Sequence, residues 1–165
     1  MARILIVAGG CRGRRLAGEL VGEGHAVRIT TRTETGRTAI EASGAECWIG
    51  APDRLATLRG ALESVTVVCW LLGSAAGELD QVRALHSSRL EFFLGQAIDT
   101  TVRGFLYEAS GTTVSPDLLA AGAQVVRTIG AQNAIPVAFL NAELGDCEAW
   151  LTEAQAAVDM LLRRS

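Results

Sequence analysis

The sequence predicts a single doubly wound α/β domain, with a six-stranded, mostly parallel sheet and helices on both faces. Three observations predict it. Short apolar or β-branched runs alternate with stretches of helical periodicity along the whole chain. One strand, one helix and two connections take about 26 residues, so six units use about 156, and the chain has 165 residues. The apolar share is 49% and the charged share 20%, which suits a well-buried core and argues against disorder. Repeated βα units imply right-handed crossovers and therefore parallel strands. No linker, repeat or composition shift divides residues 1–165, so one domain is expected.

The elements follow in order. Arg3–Ala8 is an apolar run suited to a strand buried on both faces. A glycine-rich turn at residues 9–13 leads to a helix over 14–23, where Leu16, Ala17, Leu20 and Val21 share a face. Gly24 and His25 turn the chain into a second strand, Ala26–Thr31. A short helix at 35–43 is stopped by Gly44, and Glu46–Ile49 is the third strand. Asp53 is placed to cap a helix over 54–62. Residues 65–72 are the most apolar stretch and the expected centre of the sheet, followed by a small-residue loop at 73–77. A helix over 79–98 is expected to break around 86–88. A fifth strand at 104–107, a helix at 116–129 with Pro116 in its first turn, and a sixth strand at 136–140 come next. A last helix over 148–164 carries Trp150, Leu151, Ala154, Val158, Leu161 and Leu162 on one stripe. That stripe packs on the sheet or meets a second copy or another protein.

Composition excludes several function classes. The net charge of −3 leaves no electrostatic footprint for nucleic acid. No run approaches the length needed to cross a bilayer, and no secretory signal opens the chain, so no membrane role is expected. All 15 basic residues are arginine. Without an amine side chain there is no Schiff-base lysine, no Walker-type phosphate lysine and no Tyr-Lys couple, because arginine stays charged. Cys11, Cys47, Cys69 and Cys147 form no C-x-x-C pair, and only His25 and His86 accompany them, so no metal site is expected. Cys47 and Cys69 lie in apolar runs and read as reduced, buried thiols, which points to the cytoplasm.

The chemistry-bearing segment is Ala8-Gly9-Gly10-Cys11-Arg12-Gly13 between the first strand and first helix. In dinucleotide-binding folds of the Rossmann type, a diphosphate sits at this helix N-terminus on backbone amides. Gly9 or Ala8 takes the place of the first fingerprint glycine. Gly10 allows the backbone to approach the phosphates, and Gly13 lets helix and strand pack closely. The end of the second strand selects between cofactors. Where an NAD binder carries an acid for the ribose 2′-hydroxyl, this chain has Thr31 and Arg32. A guanidinium suits a 2′-phosphate, and Arg12 is expected to add a second contact. NADP(H) is therefore favoured over NAD(H).

Gly10-x-x-Gly13-x-x-Leu16-Ala17, Gly24-His25-x-Val27 and Thr30-Thr31-Arg32 resemble the start of atypical and extended short-chain dehydrogenase/reductases. These include epimerase/dehydratase-like and NmrA-like NAD(P)-binding proteins. The resemblance covers about the first 35 residues well. It implies a nicotinamide dinucleotide cofactor and an oxidoreductase or a redox-sensing role, and Arg12 matches an NADP determinant of that superfamily. The family's catalytic couple is Tyr-x-x-x-Lys with a nearby Ser or Thr. Here the single tyrosine is Tyr107, read as a sheet residue, and Gly111 stands four positions on. Ser110 stands near the family's serine, and Glu108 is the carboxylate nearest the expected cleft; these two are the candidates for proton chemistry. Gly73 and Ser74 open the loop expected to admit the nicotinamide ribose. Cys11 reads as a redox thiol or as a small turn residue, His86 as a surface helix residue, and Asp99 with Arg103 as a structural pair. Three functions stay open: a dinucleotide-binding protein without the standard machinery, a reductase using another proton donor, and a regulator that reads the NADP+/NADPH ratio.

Overall fold

The computed structural model describes residues 1–143 and 145–165. Six parallel strands, β1 (Arg3–Ala8), β2 (Ala26–Thr31), β3 (Glu46–Ile49), β4 (Val67–Leu71), β5 (Gly104–Glu108) and β6 (Val137–Leu140), lie in the order β3-β2-β1-β4-β5-β6. The order reverses between β1 and β4, which opens a crevice at their carboxyl ends. The helices are α1 (Gly10–Gly22), α2 (Arg37–Ala42), α3 (Leu79–Leu85), α4 (Ser88–Ile98), α5 (Pro116–Gln132) and α6 (Cys147–Arg164). This is the Rossmann-type architecture expected from the alternating pattern.

Alternation within the strands builds two cores. Ile4, Ile6, Val67, Cys69, Leu71 and Leu106 face α1, α2 and α6. Leu5, Val7, Val68, Trp70, Phe105 and Tyr107 face α3, α4 and α5. Every residue of β4 and β5 is buried, whereas the edge strand β3 is partly exposed throughout. A strand covered on both faces has no polar side to show, which is why β4 reads as a continuous apolar run. The stripe of α6 packs on this sheet through Trp150, Leu151, Ala154, Val158 and Leu161. Ser115 caps α5 by accepting from the Leu118 amide at 3.3 Å, and Asp146 caps α6 by accepting from the Ala149 amide at 2.9 Å.

Four local expectations are corrected. Helix α1 begins at Gly10, inside the glycine turn, and not at 14. Residues 54–62 form two short 3₁₀ turns, Leu55–Thr57 and Gly60–Leu62, instead of a helix capped by Asp53. The Thr57 carbonyl that helical pairing would need accepts from Trp48 Nε1 at 2.7 Å, and Thr57 Oγ1 accepts from the Ala51 amide at 2.9 Å. The chain from β3 is thus tied to the segment that was to be helical. His86, expected on the surface, is 1% exposed. Arg103 does not pair with Asp99 but donates to the Thr100 and Val102 carbonyls at 3.0 and 2.8 Å. The break between α3 and α4 falls at 86–87, as expected. Among the described residues, no helix is long and apolar enough to cross a membrane.

Candidate functional site

The glycine turn takes an unusual backbone path. Ala8, Gly9 and Gly10 all have positive φ, at 64°, 92° and 56°. Gly9 needs its freedom twice over, because a Cβ there would also lie 2.9 Å from Gly13 Cα and 3.1 Å from Leu71 Cδ1. Gly13 in turn would press a Cβ to within 3.1 Å of the Ala8 carbonyl oxygen, so it lets α1 lie close on β1. Gly10 meets nothing within 4 Å and faces open space. Ala8 adopts a conformation that costs a non-glycine residue roughly 1 kcal/mol or more. Its amide is pinned by donation to Thr30 Oγ1 at 3.1 Å. Gly9 supplies no side-chain cap to α1, so the first amides of the helix, with the positive end of its dipole, point into the crevice.

Two cavities flank this turn and share Ala8 and Gly10. The one toward β4 has a volume of about 320 Å³ and is lined by Gly9, Cys11, Arg12, Ser74 and Glu108. The one toward β2 has about 240 Å³ and is lined by Arg14, Thr30, Thr31, Arg32 and Gly36. Gly10 forms the saddle between two lobes of one cleft.

The structure separates the two guanidiniums that the sequence reading set together. Arg32 lies in the β2-side lobe, where Nη1 donates to Asp53 Oδ2 at 2.8 Å. That bond holds the Asp53 carboxyl below its usual range, and Asp53 Oδ1 is buried without a hydrogen-bond partner among the described residues. Arg12 lies in the β4-side lobe. Its guanidinium stands over the Trp150 ring at 5.3 Å and donates to Ser74 Oγ at 3.2 Å. Arg14, and not Arg12, shares the lobe of Arg32. The reason is helical phase, since two residues apart on a helix means about 200° of rotation, and the helix has already begun at Gly10. Arg14 was legible in the sequence had the helix start been placed correctly. Trp150, contributed by the last helix, carries no local signal.

Glu108 lies at the end of β5 and is 3% exposed. Its Oε1 accepts from the Gly73 amide at 2.8 Å and its Oε2 from Trp150 Nε1 at 2.9 Å. Burial pushes its carboxyl up, while the two donors and the nearby Arg12 pull it down. Arg12, Ser74 and Glu108 thus line the β4-side lobe, with Trp150 buried behind Arg12 and Glu108. Gly73 itself is buried and does not line the lobe. A Cβ on it would collide with the Ser110 carbonyl, and one on Gly111 with the Gly73 carbonyl, so the loops after β4 and β5 touch backbone to backbone. Ser74 does reach the lobe, and its Oγ also accepts from the Thr112 amide at 3.0 Å. Thr31 lines the β2-side lobe, and Cys11 is an exposed free thiol beside Arg12.

Ser110 and Glu108 are not brought together. Ser110 Oγ donates to the Ala142 carbonyl at 3.0 Å and faces a different cavity, between its own loop and α5. Tyr107 is fully buried on the opposite face of the sheet from Glu108. Its hydroxyl lies 2.6 Å from His86 Nδ1, and burial pushes it well above the ordinary phenol range.

No protein-family model and no curated protein matches the sequence. Solved structures do match by fold. The UDP-glucuronic acid 4-epimerase from Bacillus cereus, in complex with UDP-glucuronic acid and NAD, is 16% identical with a TM-score of 0.65 over 84% of this chain and 55% of its own. Vestitone reductase from alfalfa (Medicago sativa) is 17% identical, with a TM-score of 0.59 over 84% and 56%. BdcA from E. coli is 13% identical, with a TM-score of 0.71 over 94% and 89%. The chain spans a little over half the length of the epimerase and of vestitone reductase. At these identities the likeness is one of fold.

Proposed function

We propose that this chain is an NADP(H)-binding protein of the dehydrogenase/epimerase superfamily. The observation that carries the reading is the cleft itself. Uncapped amides at Gly10, Cys11 and Arg12 lie between a lobe with Arg14 and Arg32 and a lobe with Arg12 and Ser74. The amides of the 9–13 turn would hold the diphosphate. Arg32, with Arg14 and Thr31, would hold the adenosine 2′-phosphate, since two guanidiniums suit a dianion and, among the described residues, no acid but Asp53 reaches Arg32. The other half of the cofactor would extend toward Arg12, Ser74 and Glu108. The bound nicotinamide would supply the hydride chemistry. Four free cysteines fit a reducing compartment and support a cytoplasmic location.

One observation favours binding without standard catalysis. The chain has no lysine and one tyrosine, and that tyrosine is enclosed in the core with His86. A role as a redox-sensing regulator or accessory subunit is accordingly the second reading, with a second copy or another protein as its partner.

Titration of intrinsic tryptophan fluorescence with NADPH and NADH tests this, because Trp150 contacts Arg12 and Glu108, which line the β4-side lobe. NADPH is expected to bind more tightly than NADH. Arg32→Ala and Arg14→Ala are each expected to weaken NADPH by about tenfold, the worth of a charged hydrogen bond, and to leave NADH nearly unchanged. Equal affinities would remove the 2′-phosphate argument, and no binding of either would remove the whole reading.

A further inference from the structure

A further cavity lies outside the dinucleotide cleft. It has a volume of about 430 Å³ and runs along one face of α5, where Leu119, Ala120, Ala123 and Arg127 recur at helical spacing. Its far wall is the 109–111 loop with Asn141. That size lies within the range of small-molecule sites. The floor is apolar, formed by Val114, Leu119 and Ala123.

Arg127 is the one ionised group lining it among the described residues. No carboxylate of those residues lies within ion-pair distance of its guanidinium. The guanidinium is instead stacked at 4.4 Å over the Phe139 ring. Arg127 is exposed, and among the described residues its N–H donors have no hydrogen-bond partner, so they are open to a ligand that enters from solvent. A single forked cation over an apolar floor matches a planar monoanion with an apolar body. A phosphate dianion would call for a second cation, which the groove lacks.

We propose that this groove binds an organic monocarboxylate, with Arg127 as the group that recognises its carboxylate. The 109–111 loop that walls the groove touches the 73–74 segment of the dinucleotide cleft, so the carboxylate is assigned as the substrate or effector paired with the nucleotide. In that pairing the inference rests on the reading above, but carboxylate binding is measured separately.

The probes are 3-phenylpropanoate, its uncharged amide and inorganic phosphate, followed by ligand-observed NMR on the full chain with and without NADP+. The acid is expected to bind at least about tenfold more tightly than the amide, with phosphate failing to displace it. Arg127→Leu keeps the apolar stem and is expected to reduce the acid to the affinity of the amide. Ala120→Phe, at an exposed lining position, fills the groove and is expected to abolish binding of both. Neither variant should change NADPH affinity or the thermal midpoint. Equal binding of acid and amide, full retention in Arg127→Leu, displacement by phosphate, or no binding to the wild-type chain would each overturn the proposal. Acid binding in a protein that fails to bind NADPH would sustain the groove and remove its pairing with the nucleotide.

Discussion

Tyr107 shows how a single residue type is diverted from chemistry to architecture. Its hydroxyl and the His86 imidazole meet in the core, and His86 Nε2 lies 3.1 Å from the Leu72 carbonyl oxygen. A carbonyl only accepts, so Nε2 carries the proton and Nδ1 accepts from the tyrosine hydroxyl. Every polar atom of the pair is satisfied. Gly122 on α5 leaves the space for the hydroxyl, and a Cβ there would collide with it. Gly122→Ala is expected to destabilise the fold by about 1–3 kcal/mol through overpacking, as read by chemical denaturation. Tyr107→Phe alone strands His86 Nδ1 and is expected to cost about 1–3 kcal/mol. Combined, the two changes should cost less than their sum, because removing the hydroxyl makes room for the methyl group.

Among the elements, the connection after β3 decides how free Arg32 is. The tight turn over 51–54, just before the first 3₁₀ turn, brings Asp53 to the Arg32 guanidinium, where the pair is partly exposed. Asp53→Asn removes the competing charge. It is expected to strengthen NADPH binding by about tenfold or less, in keeping with the small worth of exposed pairs, and to leave NADH unchanged, as measured by titration calorimetry. A weaker NADPH complex in this variant would show that Asp53 holds Arg32 in its binding position. The same connection marks the limit of reading elements from sequence. The strands and the long helices were legible, since β1 and β4 read as apolar runs, α5 opens on Pro116 and α6 carries a clear stripe. Residues 54–62 were not, because Trp48 and Thr57 override a local helical pattern through contacts that no periodicity reveals. The site was half legible. The glycine turn and Arg32 were visible, but the partner of each arginine depends on where α1 begins and on Trp150, about 140 residues away.

At the scale of the whole molecule, two buried titratable groups tilt stability in opposite directions with pH. Burial lowers His86 from its ordinary value of 6.5. The unfolded chain therefore takes up a proton near 6.5 that the folded protein refuses, so this contribution is intact above that pH and is lost on acidification. Burial raises Glu108 from 4.5. The folded protein keeps a proton that the unfolded chain releases, so this contribution is intact below 4.5 and is lost as pH rises through the folded value. His86→Gln is expected to lower stability at neutral pH but to lose less of it between about pH 7.5 and about pH 5.5. A thermal-melt series across that range reads the difference, and parallel curves for the two proteins would exclude His86 as the source.

The contact between Gly73 and Gly111 limits how this cleft can diversify. Main chain rests on main chain there, and any substituent at either position would wedge the two loops apart. The β4 and β5 sides consequently behave as one fixed jaw, whose outline no side-chain replacement at that junction can retune. Changes in what the protein accepts must then arise on the opposing jaw, at Cys11 and Arg12, or beyond the junction along α5. Mutagenesis aimed at new ligands should therefore randomise those positions and spare the two glycines.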